Sequence, residues 1–181
     1  MKHTLNRRSF LKLGMLAAAL PVPALANQKL AAAERRLHLY NLYTGETSNL
    51  AYWAQGEYVP ESLAEINRIL RDHRTDELAA IDTRLLDLLN RVSAAVGTSQ
   101  PFEVVCGYRS PATNQMLMET TSGVARHSLH MEGKAIDIRL ADIALADLQR
   151  VGLELGGGGV GYYPDSNFVH LDVGRVRTWA G

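Results

Sequence analysis

The chain has 181 residues, 19 Lys and Arg against 19 Asp and Glu, and a single cysteine. That length builds one ordinary core, and Cys106 has no internal disulfide partner, so packing or a metal must hold the fold. The absence of basic excess argues against nucleic-acid binding, which rests on phosphate neutralisation.

The N-terminus reads as an export signal. Asn6-Arg7-Arg8-Ser9-Phe10-Leu11-Lys12 is a twin-arginine pattern, an apolar run follows from Leu13 to Leu20, and Ala24-Leu25-Ala26 offers a small-x-small cleavage site. The run is shorter than the ~20 residues a bilayer span needs. The expectation is a signal over residues 1–26, twin-arginine export to the periplasm, and one mature domain over 27–181 with no stable membrane insertion. Cleavage would remove four of the basic residues and no acidic one, leaving a net charge of −4. No cysteine stands at the cleavage site to carry a lipid anchor.

In chain order, Arg36 to Tyr43 alternates, Thr44-Gly45-Glu46 signals a turn, and Asn49 to Trp53 returns, which predicts a hairpin. Pro60 opens a helix to about Arg71, with Leu63, Ile66, Ile69 and Leu70 on one stripe. A second helix is expected from about Asp76 to Val96, striped by Leu78, Ile81, Leu85, Leu88, Leu89 and Val92 and stopped by Gly97. Phe102 to Cys106 reads as a strand ending in Gly107-Tyr108-Arg109-Ser110, and Pro111 to Thr120 as a short helix. After a polar loop, Lys134 to Leu140 is a strand and Asp142 to Leu153 a helix. Gly156 to Gly159 reads as a flexible turn; with no Lys-Ser/Thr after it, it is no phosphate cradle. Val160 to Tyr163 and Phe168 to Val173 close the chain as a hairpin. Helices followed by strands predict one α+β domain, a mostly antiparallel sheet with helices packed on one side.

Chemistry concentrates between Ser128 and Asp137. His130 leaves a loop, Gly133 permits a sharp turn, and Asp137 sits on the following strand, turned from the apolar positions Ile136 and Ile138. An imidazole and a carboxylate so placed are two-thirds of a zinc site, and His170 is the best third ligand. It shares one face of its strand with Phe168 and Asp172.

Ser128-x-His130-x-x-Gly133-x-Ala135-x-Asp137 resembles the signature of the LAS metallopeptidases, which include zinc D-Ala-D-Ala carboxypeptidases, VanX-type dipeptidases and murein endopeptidases. Gly107-Tyr108-Arg109-Ser110 and Phe168-Val169-His170 resemble their strand-end arginine and closing ligand motifs. Over nearly the whole mature chain the likeness is to the twin-arginine-exported YcbK-like murein endopeptidases, through Asn41 to Glu46 and Gly174 to Trp179 as well. It implies a hedgehog/D-Ala-D-Ala-peptidase-like fold with His130, Asp137 and His170 as ligands of a catalytic Zn2+ whose fourth position is open for water. Arg109 is then a cation beside the metal, for the oxyanion or a substrate carboxylate. Many relatives carry Glu-x-x-His, with the Glu as base. Here Asn167 stands in that place and cannot take a proton. Asp172 is the first alternative and His127 the second; Asp172 equally suits a partner orienting a ligand imidazole. The expected function is a monomeric zinc endopeptidase cutting peptidoglycan stem-peptide cross-links, of the L,D-type between diaminopimelate residues. The alternatives are a D,D- or L,D-carboxypeptidase trimming free stems, or a non-catalytic wall-binding module that keeps zinc for structure.

Overall fold

The computed structural model describes residues 34–181 apart from Ser122, and the expected export signal over 1–26 lies outside the described residues. Among the described residues eight strands form one sheet: β1 (Arg35–Asn41), β2 (Thr47–Ala54), β3 (Glu57–Tyr58), β4 (Phe102–Cys106), β5 (Ala135–Arg139), β6 (Gly159–Tyr163), β7 (Phe168–Asp172) and β8 (Arg177–Ala180), in the order β3-β2-β1-β4-β5-β7-β6-β8. The pairings are antiparallel except β1 with β4 and β6 with β8. The helices are α1 (Pro60–Ile69), α2 (Thr83–Val96), α3 (Pro111–Thr120) and α4 (Leu145–Leu155). This is the mostly antiparallel α+β domain that the sequence predicts.

The strand alternation builds the core. Leu37 and Leu39, Phe102 and Val104, Ile136 and Ile138, and Val169 and Leu171 form one apolar cluster with Ile66 and Ile69 of α1, Leu85, Leu89 and Val92 of α2, and Leu148 and Val151 of α4. Burying such side chains contributes roughly 1.5–3 kcal/mol each. α3 adds nothing to that cluster; its buried residues are Thr113 and Asn114.

Several element boundaries differ from the sequence reading. α2 starts at Thr83, not Asp76, because Asp76 adopts φ +57° and the Asp82 side chain caps the helix by accepting from Arg84 N. Leu78 consequently leaves the stripe and is 59% exposed. α4 starts at Leu145 rather than Asp142 and ends on Gly156 at φ +60°. The glycine run is not a loose turn: Gly156 caps α4, and Gly159 already belongs to β6. β3 and β8 are strands that the sequence did not signal.

The register sets up the site. β4 pairs Val104 with Ile138 and then Cys106 with Asp137, skipping Val105. This bulge brings Cys106 opposite Asp137 instead of leaving it with Phe102 and Val104 on the core side. The same cross-strand row runs on through His170, opposite Asp137, then Gly161 and Trp179.

Candidate metal centre

His130 stands in a 3-10 turn, Leu129–Glu132, that Ser128 starts by accepting from His130 N and Gly133 ends at φ +63°. A side chain at Gly133 would run into the Ala80 carbonyl, so glycine is required there both for its backbone angle and for space. Asp82 N donates to Gly133 O at 2.9 Å, tying this turn to the start of α2. Asp137 and His170 face each other from adjacent strands, and all three residues are at least nine-tenths buried.

Their polar atoms meet at one point. His130 Nε2 is 3.2 Å from His170 Nδ1 and 3.3 Å from Asp137 Oδ1, and His170 Nδ1 is 2.8 Å from Asp137 Oδ1. A tetrahedral ion with bonds of ~2.0–2.1 Å holds its ligand atoms about 3.3 Å apart. The far side of each ring shows which nitrogen faces the cluster. His130 Nδ1 lies 2.8 Å from the Gly107 carbonyl, which only accepts, so Nδ1 donates and Nε2 is the nitrogen turned to the cluster. His170 has a carboxylate oxygen at each ring nitrogen, Asp137 Oδ1 2.8 Å from Nδ1 and Asp172 Oδ2 3.1 Å from Nε2; a cation at the meeting point would take Nδ1 and leave Nε2 to donate to Asp172. Two imidazole nitrogens and a carboxylate oxygen pointing at one another suit a shared cation, and the donor set fits a metal ion.

The electrostatics agree. Burial alone would push the His130 imidazole down, yet the Asp137 carboxylate outweighs it and holds His130 well above its ordinary range. Burial would likewise raise Asp137, but the charge on His130 and hydrogen bonds from both imidazoles keep it far below the usual carboxylate range. A proton therefore competes with a metal ion for His130. The half-buried Cys106 is a further potential donor, its Sγ forming a group with His130 and Asp137 within 4.8 Å of one another. The contacts of His170 are tighter, which makes His130, Asp137 and His170 the compact set.

Arg109 joins from the end of β4. Its backbone N–H donates to His130 O at 3.2 Å, and its neighbours are pinned by Tyr108 N to Leu70 O at 2.7 Å and Ser110 N to Asp72 Oδ2 at 2.8 Å. The guanidinium donates to Asn114 Oδ1 at 3.3 Å, approaches Asp137 Oδ2 to 3.8 Å, and leaves its buried Nε without a partner.

Comparison with known proteins fits this constellation. Residues 29–179 match the family described as "Peptidoglycan L,D-endopeptidase MepK". The chain is 41% identical to the peptidoglycan L,D-endopeptidase MepK of Escherichia coli K12 over 98% of its own length and 99% of that protein. The chain belongs to the MepK family. A probable MepK of Haemophilus influenzae is 38% identical over 97% of this chain and 96% of its own. As a MepK-family member the chain is a peptidase, a hydrolase of the LAS type that its motifs resemble.

The remaining sequence candidates separate. Asp172 is fully buried and surrounded: Oδ1 accepts from Gly159 N at 2.9 Å and Gly174 N at 2.8 Å, and Oδ2 from Arg177 Nη2 at 2.7 Å besides facing His170. Against the pull of burial, those bonds keep it far below the ordinary carboxylate range. Its geometry is that of a partner orienting His170. His127 is exposed on the bend before the His130 turn, and no described contact ties it to the cluster. Asn167 is exposed in the β6–β7 turn at φ +54°, a left-handed conformation that Asn tolerates. Sequence reasoning missed the Gly107 carbonyl and Arg177; the Arg177-x-Trp179 alternation was the available signal for the latter.

Proposed function

We propose that this peptidase is a zinc-dependent murein endopeptidase that acts in the periplasm on peptide cross-links of peptidoglycan, specifically L,D-bonds between diaminopimelate residues. His130 Nε2, Asp137 Oδ1 and His170 Nδ1 hold the ion. The observation that carries the reading is the convergence of two imidazole nitrogens and a carboxylate oxygen, each within 3.3 Å of the others. The relatives' designation as peptidoglycan L,D-endopeptidases supports the substrate.

A zinc ion held there supplies a Lewis acid that polarises the scissile carbonyl and activates a water near neutral pH. The chain supplies the geometry. Gly107 O and Asp172 fix the two ring orientations, so His130 Nε2 and His170 Nδ1 stay aimed at one point. With three protein donors, a bound zinc would keep room for a solvent or substrate ligand. Arg109 places a fixed cation beside the cluster, where its charge can stabilise the oxyanion developing on the carbonyl oxygen. The bonding of Asp172 suits orientation rather than proton transfer, which leaves His127 as the base to test first. Every named residue comes from one chain, so the reaction needs only a monomer. Residues 1–26 act as the twin-arginine export signal.

The test is mass spectrometry of cross-linked muropeptides after incubation with residues 27–181. Release of monomers from diaminopimelate–diaminopimelate dimers, stopped by a chelator or by His170→Ala, is the expected result. Loss of only a terminal D-residue from uncross-linked stems would mean a carboxypeptidase instead.

A further inference from the structure

Behind His170 two rows of side chains reach across β6 from the edge strand β8. In the first, His170, Gly161 and Trp179 are consecutive partners on β7, β6 and β8. In the second, Gly159 pairs with Arg177, and Asp172 lies on the far side of Gly159. Both β6 positions are glycine, two residues apart and so on the same face. A methyl carbon added at Gly161 would stand 2.6 Å from Trp179 Cε2, and one at Gly159 would stand 2.5 Å from Asp172 Oδ2. The missing side chains form a window.

Through it the β8 side chains touch the site. Arg177 holds both oxygens of Asp172, Nη1 to Oδ1 at 3.2 Å and Nη2 to Oδ2 at 2.7 Å. Its guanidinium also stacks 4.7 Å over the Trp179 ring. Trp179 is pinned by Nε1 donating to Tyr163 Oη at 2.7 Å, and its ring lies 5.1 Å from that of His170, tilted by 55°. The imidazole is therefore gripped from two sides, by the carboxylate at Nε2 and by the indole against its ring.

From this geometry we infer that Arg177 and Trp179 are positioning residues that hold His170 with its Nδ1 toward the metal, acting through the Gly159–Gly161 window. The ion pair fixes the Asp172 carboxylate, which keeps the proton on Nε2 and the lone pair on Nδ1. The indole blocks rotation of the ring toward β8. The inference rests on the metal-site reading above and adds the strand that makes the site rigid.

The experiment compares the mature wild type with Arg177→Gln, Arg177→Lys, Trp179→Phe and, as a control on an exposed neighbour, Arg175→Gln. Zinc affinity is read by competition with a chromogenic chelator, and the tautomer of His170 by nitrogen-15 NMR of labelled histidine. Arg177→Gln should weaken zinc ~10–100-fold, as loss of a ligand's hydrogen-bonded partner typically does, and should shift the tautomer from Nε2–H. Arg177→Lys should restore part of both, and Arg175→Gln should change neither. If Arg177→Gln does not fold, Arg177→Lys and Trp179→Phe carry the comparison. Wild-type zinc affinity and an unchanged His170 tautomer in the Arg177 and Trp179 variants would overturn the inference. If the wild type itself does not bind zinc, the metal-site reading fails, and the tautomer in the zinc-free protein still decides whether the grip exists.

Discussion

Replacing Asp72 by asparagine tests how the segment before α2 is tied to the site. Asp72 is 2% exposed. Its carboxylate accepts from Arg74 N at 2.9 Å and Ser110 N at 2.8 Å, so it joins this segment to the N-cap of α3, next to Arg109. Burial opposes the charge, but hydrogen bonds from Thr113, Arg74 and Ser110 outweigh it and lower the carboxyl from an ordinary 3.8 to about 2. At 1.36 kcal/mol per unit of pKa, that difference is worth about 2 kcal/mol of folding stability at neutral pH. Because the folded-state value is depressed, the contribution is complete above about pH 4 and disappears as the pH falls through about 2. Asp72→Asn should therefore cost about 2 kcal/mol at pH 7, or roughly 5 °C in Tm for a domain of this size. The gap to wild type should close on acidification. Urea denaturation of both proteins from pH 7 to pH 2.5 measures it. A gap that stays constant over that range would refute the linkage, and a gap under ~0.5 kcal/mol at pH 7 would refute the assigned magnitude.

Zinc binding should displace the proton that Asp137 holds on His130, so calorimetry in buffers of different ionisation enthalpy should show proton release, and apparent affinity should fall as the pH is lowered. Equal heats in all buffers would contradict the raised His130. Chelation should lower Tm in wild type but leave His130→Ala unchanged, because only the intact set gains stability from the ion. Gly133→Ala should destabilise more than Gly97→Ala: they sit at φ +63° and +70°, but Gly97 has open space whereas Gly133 abuts the Ala80 carbonyl. The left-handed angle alone costs ~1–2 kcal/mol, so chemical denaturation should show Gly133→Ala exceeding that. Leu85→Ala, fully buried in α2 against the sheet, should cost ~2–5 kcal/mol in the same assay while leaving zinc affinity intact.

Local patterns were enough for much of the molecule. The β4 strand and α3 fall on the residues their alternation, Pro111 and Ser110 predict, since caps and turns act within a few residues. The Ser128–Asp137 stretch declared its own turn and strand because Ser128 and Gly133 set both ends locally. The start of α2 was misread for the opposite reason. Ile81 continues the helical spacing of its apolar neighbours, but Asn67 Oδ1 accepts from Ile81 N at 2.9 Å and holds it outside the helix, a contact 14 residues away that no window sees.

By itself the sequence put His130, Asp137 and His170 forward as candidates and gave the strand faces of the last two, because side-chain direction follows from a period of two along a strand. Only the tertiary structure decided how they are joined. The β4 bulge, the pairing of β5 with β7 and the return of β8 beside β6 place Cys106, Asp137, His170 and Trp179 in one row. Ring orientation rests on a backbone carbonyl 23 residues from His130 and on a buried carboxylate clasped by Arg177. Such contacts follow from strand order and register, which are set by the packing of the whole sheet and leave no periodic trace in the chain.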